Sequence, residues 1–118
     1  LQFSVVAVSL KKKVGSETSY EIRLQNRGSR AASQVRLAVE FPPELAPIGG
    51  EGPTNVGVRG QQLIVEPLPA LAPNSQVTYQ IRAKGLRKGD PRIRVLVASD
   101  ESPNPVTKEE STRVYADE

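Results

Sequence analysis

The sequence has 118 residues, enough for one compact domain with a single core and too few for two ordinary ones. It contains no Cys, His, Met or Trp, which removes disulfides, zinc-thiolate sites, thiol nucleophiles, imidazole acid/base chemistry and the usual transition-metal ligands. Its formal charge is +3, and no apolar run approaches the roughly 20 residues that a membrane-spanning helix needs, so no membrane insertion of this segment is expected.

Fourteen Val and five Ile stand against two Phe and three Tyr, and ten Pro are spread along the chain, a composition for short strands rather than long helices. Residues 1–10 read as a less regular first strand. The Lys11-Lys12-Lys13 run then reads as a solvated loop leading into the turn Val14-Gly15-Ser16. Residues 19–26 put Tyr20, Ile22 and Leu24 on one face and Glu21, Arg23 and Gln25 on the other, the period of a half-buried strand. At Asn26-Arg27-Gly28 the Asn side chain is expected to bond its own backbone and the Gly to take a positive φ. Residues 34–41 repeat the alternation, with Val35, Leu37, Val39 and Phe41 inward and Arg36 and Glu40 outward.

The Pro- and Gly-rich segment 42–60 reads as an irregular crossing between sheets with a short strand at 55–59; as a long loop it is also a candidate for function. A strand at 62–66 follows, and Pro67, Pro69 and Pro73 bracket a break at which the chain changes sheets. Residues 76–84 alternate again, with Val77, Tyr79, Ile81 and Ala83 inward; Tyr20 or Tyr79 is expected to fix a loop through its hydroxyl. Lys88-Gly89-Asp90-Pro91 marks the turn of a hairpin into a strand at 91–99, and Ser102-Pro103-Asn104-Pro105 the turn into a last strand at 107–115. About seven strands with turns about ten residues apart predict an all-β fold, a two-sheet antiparallel sandwich with Greek-key connections; a barrel is the alternative.

Charge is unevenly placed. Residues 1–99 hold 14 basic and 7 acidic side chains, residues 100–118 two and six, which predicts an acidic last strand beside the basic strand of Arg92 and Arg94, with Arg94 against Glu110. The densest basic cluster, Arg82, Lys84, Arg87, Lys88, Arg92 and Arg94, is a candidate surface patch for an acidic polysaccharide, against a plainer reading as the solvated face of a hairpin. The aromatic of those two strands, Tyr79, falls on the apolar face, which argues against stacking nucleic-acid bases. Paired carboxylates held across a cleft are not in evidence, so no catalytic residues are assigned and no enzyme is expected. Asp100, Glu101 and Asn104 share a loop that calcium chemistry would favour, but without Asp-x-Asp spacing it reads as a turn; no metal or cofactor is assigned. With Tyr20 and Tyr79 inward, Tyr115 is the aromatic left for stacking a sugar, which weakens a lectin reading.

The order Gly15-Ser16-Glu17-Thr18-Ser19-Tyr20-Glu21-Ile22, Gln25-Asn26-Arg27-Gly28, Val35-Arg36-Leu37 and Phe41-Pro42-Pro43-Glu44-Leu45 resembles the bacterial conserved-repeat domain, a family of unknown function related to repeats of outer-membrane complex proteins and to cell-adhesion-related domains. Leu68-Pro69-Ala70-Leu71-Ala72-Pro73-Asn74-Ser75 followed by Val77-Thr78-Tyr79-Gln80-Ile81 is similar to the family's turn into its penultimate strands, and the resemblance runs from Phe3 to Tyr115. Asn74 stands where Gly is usual and Phe41 where Leu often precedes Pro; Asn tolerates the left-handed conformation. The resemblance implies an immunoglobulin-like module, repeated in large exported proteins, without catalytic residues and with no agreed binding site to carry over. Residues 1–118 are thus expected to form one domain of a larger chain at the cell surface, outer membrane, periplasm or outside the cell. It would serve as a structural or adhesion repeat whose partners are neighbouring domains or another surface protein. The alternatives are a binding module for an acidic glycan or an extended peptide, and an accessory domain of a secreted hydrolase.

Overall fold

The computed structural model describes residues 2–7, 11–111 and 113–115. Among them lie eleven strands: β1 (Gln2–Ala7), β2 (Lys11–Lys13), β3 (Glu17–Gln25), β4 (Ala32–Glu40), β5 (Leu45–Glu51), β6 (Val56–Arg59), β7 (Gln62–Leu71), β8 (Gln76–Gly85), β9 (Arg92–Ala98), β10 (Val106–Ser111) and β11 (Arg113–Tyr115). No helix among the described residues is long and apolar enough to cross a membrane. An antiparallel sheet in the order β1-β3-β8-β5 packs on a second in the order β10-β9-β4-β7-β6. The two edges are closed by β1 beside β10 and by β5 beside β6 and β7.

The alternating residues read from the sequence make the core. Tyr20, Ile22 and Leu24 of β3, Val35, Leu37 and Val39 of β4, Tyr79, Ile81 and Ala83 of β8, and Ile93, Val95 and Val97 of β9 are all buried in one cluster. Each fully buried aliphatic side chain stabilises the fold by about 1.5–3 kcal/mol relative to exposure, so this cluster is the main favourable contribution. The all-β immunoglobulin-like sandwich is therefore the observed fold, with one change of connectivity. After β4 the chain crosses to β5 on the other sheet, returns to the edge strand β6, and only then enters β7 beside β4.

The segment 42–60 thus does cross between sheets, but it holds β5 as well as β6. Pro47, Gly49 and Gly50 hid β5 from a propensity reading; it tolerates them because it is an edge strand with a register shift between Pro47 and Gly49, where Ile48 is exposed. Pro67 and Pro69 likewise do not end β7. Both sit beyond the β6 pairing, which stops at Val65; Pro67 lies at the register shift opposite Arg36 and Pro69 opposite Gln34, two places where the β4–β7 ladder has no pair. The change of sheet comes later, at Asn74, whose φ of 62° is left-handed as expected of an Asn in a glycine position.

Four further expectations are corrected. Gly28 does not take a positive φ, because the Asn26 Oδ1 accepts the Gly28 N–H at 2.9 Å and closes the turn by itself. The chain from β8 to β9 is not a hairpin, since those strands belong to different sheets. The last strand is divided: β10 pairs with β9, while β11 pairs in parallel with β2, so the backbone of the Lys11–Lys13 run is a short strand rather than a loop. In the β9–β10 register, Arg94 faces Glu109, whereas Glu110 faces Ile93. The side chains of Lys11–Lys13 and Tyr115, and residues 1, 8–10, 112 and 116–118, lie outside the description.

The end of the sandwich at the close of β3 is organised by Asn26, which is 3% exposed. Its backbone N–H donates to the Ser75 carbonyl at 3.0 Å, and its carbonyl accepts the Asn74 N–H at 2.7 Å. Its Nδ2 donates to the Leu71 carbonyl at 2.9 Å and the Arg30 carbonyl at 2.8 Å. One residue therefore ties the β3–β4 and β7–β8 connections together, with both hydrogens of its side-chain amide in use.

A candidate interaction face

Directly opposed residues of an antiparallel pair share a face, so the registers define what the outer surface of each sheet presents. On the four-stranded sheet, β3 and β8 set Glu17 against Lys84, Ser19 against Arg82, Glu21 against Gln80 and Arg23 against Thr78. Across these two central strands the outward positions are polar. On the five-stranded sheet one outward row reads Thr107, Leu96, Ala38, Ile64 and Gly57 from β10 to β6, and the next reads Glu109, Arg94, Glu40, Gln62 and Arg59. The apolar part of that row, the stripe Leu96, Ala38 and Ile64, thus crosses the three strands β9, β4 and β7, roughly 10 Å at about 4.8 Å per strand spacing.

The stripe is the floor of an open groove of about 430 Å³, walled by Ala98, Pro67, Pro103 and Pro105. A second hollow of about 460 Å³ continues beyond Ile64 over β6. Ile64 is 39% exposed, a large aliphatic side chain at the centre of the face. The prolines of the 99–105 connection stand at the rim because that turn is fastened to the start of β4. Asp100 N–H donates to the Ser33 carbonyl at 2.9 Å, Ser33 N–H donates to Glu101 Oε1 at 2.7 Å, and Arg36 Nη1 meets Asp100 Oδ1 at 3.0 Å. The Ser33 N–H holds the Glu101 carboxyl below its ordinary range. The acidic residues weighed for calcium are thus occupied: Asp100 by Arg36 and Glu101 by Ser33, with Asn104 exposed.

The six residues of the basic cluster are all exposed, but they do not form one surface. Arg82 and Lys84 lie on the outer face of the four-stranded sheet, Arg92 and Arg94 on that of the five-stranded sheet, and Arg87 and Lys88 on the connection between them. Because the chain changes sheets there, the two pairs look in opposite directions. Arg94 is further engaged by Glu40 at 3.8 Å and lies opposite Glu109.

The loop role expected of a buried tyrosine falls to Tyr79, through a relay. Its hydroxyl bonds Thr54 Oγ1 at 2.8 Å, and that hydroxyl donates to the Glu66 carbonyl at 2.7 Å, fixing the β5–β6 connection to β7. The feature that the alternation reading missed is the apolar stripe. Its signal is present in the sequence as three unbroken apolar triplets, Leu37-Ala38-Val39, Leu63-Ile64-Val65 and Val95-Leu96-Val97, in which the middle residue is out of phase with the core.

No family model matches the chain. Among solved structures it is similar to the CARDB domain of a Pyrococcus furiosus protein in complex with di-metal ions, with a TM-score of 0.69 and 12% identity over 98% of this chain and 92% of that one. It is also similar to a cohesin module of a Clostridium perfringens family 33 glycoside hydrolase, with a TM-score of 0.67 and 9% identity over 98% of both chains. The collagen-binding domain of a Staphylococcus aureus adhesin follows with a TM-score of 0.62 and 6% identity, over 94% of this chain and 96% of that one. At such identities the likeness establishes the immunoglobulin-like sandwich and nothing finer. A protein that catalyses macrocyclization shares it too, so function has to be argued from the site.

Proposed function

We propose that this chain is a non-catalytic, protein-binding module of the adhesion-repeat kind, and that it docks a folded partner on the outer face of the five-stranded sheet. The observation that carries the reading is the contrast between the central strands of the two outer faces: β3 and β8 present polar residues, whereas β9, β4 and β7 present Leu96, Ala38 and Ile64 in an open groove. Scattered apolar residues on a surface need no explanation, but a contiguous stripe with a charged row along one side has the layout of an interface. Cohesin and collagen-binding modules among the similar folds support a binding role over a chemical one. Membership of the bacterial conserved-repeat family, a place in an exported or surface protein and neighbouring domains in the same chain belong to this proposal. So does the assignment of 1–118 as one domain.

The basic residues enter the proposal in a reduced part. Arg92 and Arg94 border the docking face, whereas Arg82 and Lys84 are on the reverse side, which disfavours a single acidic-glycan patch. The test is selection of displayed small domains against the wild-type protein at low micromolar concentration, followed by rebinding to Ile64→Glu. Binders are expected to weaken at least about tenfold, the loss of one modest hot spot, while the variant keeps its thermal midpoint. Binders indifferent to Ile64→Glu and to Leu96→Lys would overturn the assignment of the face.

A further inference from the structure

Resting on the reading of this face as a docking surface, we infer that its occupant is a second copy of the same chain, related by a two-fold axis lying along β4. The row Glu109, Arg94, Glu40, Gln62 and Arg59 begins with an acid on β10 and ends with a base on β6. A half-turn about the central strand exchanges the ends of the row, so Glu109 of each copy meets Arg59 of the other. A row with like charges at its ends would repel its own image. Among the described residues, neither Glu109 nor Arg59 is engaged in an ion pair within its own chain.

The apolar row obeys the same operation. Leu96 falls on the second copy's Ile64 and Ile64 on its Leu96, while Ala38 meets its own image on the axis with only a methyl group between the sheets. Glu40 also lies near the axis, where two like charges approach. Each is already held by Arg94 at 3.8 Å and by Gln62 at 3.4 Å, which offsets that repulsion. Arg36, likewise near the axis, is paired with Asp100 at 3.0 Å. Five strands by about five residues cover roughly 400 Å² per copy, about 800 Å² in total, below the roughly 1,200 Å² of stable complexes. The dimer is therefore weak, of the kind that gains strength when several copies are held on one surface.

Sedimentation velocity on the full chain, from about 10 μM to about 1 mM, tests this with two charge reversals. Wild type is expected to move from monomer to dimer over that range. Arg59→Glu and Glu109→Arg each convert both inter-copy contacts into like-charge pairs, so each variant alone stays monomeric. An equimolar mixture of the two dimerises again, because the unaltered Glu109 of one meets the unaltered Arg59 of the other and the two introduced residues meet each other. Both positions are exposed, and unchanged thermal midpoints will show that the variants fold. Wild type monomeric throughout, or a mixture no more associated than its components, would overturn the inference. The selection experiment above, run where the dimer is unpopulated, tests the docking face separately.

Discussion

Replacing Asn26 by alanine removes three side-chain hydrogen bonds at once from the end of the sandwich where the β3–β4 and β7–β8 connections converge. The bond to the Leu71 carbonyl is buried and contributes about 0.5–1.5 kcal/mol, since Leu71 also faces Ala32 in the β4–β7 ladder. The bonds with the Arg30 carbonyl and the Gly28 N–H are part-buried, so water takes their place and each contributes roughly 0.5–1 kcal/mol. The sum is about 1.5–3.5 kcal/mol, which for a domain of this size lowers the midpoint by roughly 6–14 °C. Urea titration measures it, with the m-value unchanged if only the native state is affected. Asn26→Asp separates the donors from the acceptor. It keeps an oxygen for the Gly28 N–H but turns a carboxylate toward two carbonyls, and burial with those carbonyls raises its folded-state pKa. Its penalty is therefore full above that raised pKa and shrinks as pH falls through it, because the protonated acid donates again. A loss below about 1 kcal/mol in Asn26→Ala, or wild-type stability of Asn26→Asp at neutral pH, would refute the assignment of Asn26 as the tie between these loops.

Three other perturbations follow from the same geometry. Gln34, at φ 49°, sits in β4 in the left-handed region, so Gln34→Gly is expected to raise stability by about 0.5–1 kcal/mol in a thermal melt, after glycine's entropic cost. Gly52 lies against the ring of Tyr79 with no room for a methyl group, so Gly52→Ala displaces the ring, breaks its bond to Thr54 and costs at least about 2 kcal/mol, seen also as a changed near-ultraviolet tyrosine signal. The Glu101 carboxyl is held low by the Ser33 N–H, so its contribution is full above the unfolded-state pKa and is lost as pH falls through the folded one. Glu101→Gln should accordingly flatten the acid limb of the stability profile and leave the alkaline limb unchanged.

The strands that face water on one side announced themselves. In β3 and β8 every second residue is polar, so period two reads directly as in and out, and the core residues Tyr20, Ile22, Leu24, Tyr79, Ile81 and Ala83 followed. The same rule concealed the face. In β4, β7 and β9 the middle residue of each apolar triplet adds nothing to an alternation score, and only the lateral registers reveal that Ala38, Ile64 and Leu96 line up. Lateral order depends on which strands pair, and here a chain that visits β5 and β6 before β7 sets it. The basic cluster divides between two faces for a related reason. Proximity in sequence from Arg82 to Arg94 spans a change of sheet, which a hairpin reading cannot register. Asn26 was legible as a turn residue but not as a tie, since its contacts with Leu71 and Ser75 join positions far apart in the chain.

Gln2 pairs with Gln25 at one end of a body 54 Å long, whereas Tyr115 pairs with Lys13 at the other. Tension between β1 and β11 therefore runs parallel to the strands. The six residue pairs joining β1 to β3 would be strained together, in shear, instead of parting one after another as in an unzipped hairpin. A fold held this way yields only when many hydrogen bonds stretch at the same moment, so its resistance to pulling along that axis exceeds what its equilibrium stability alone would suggest.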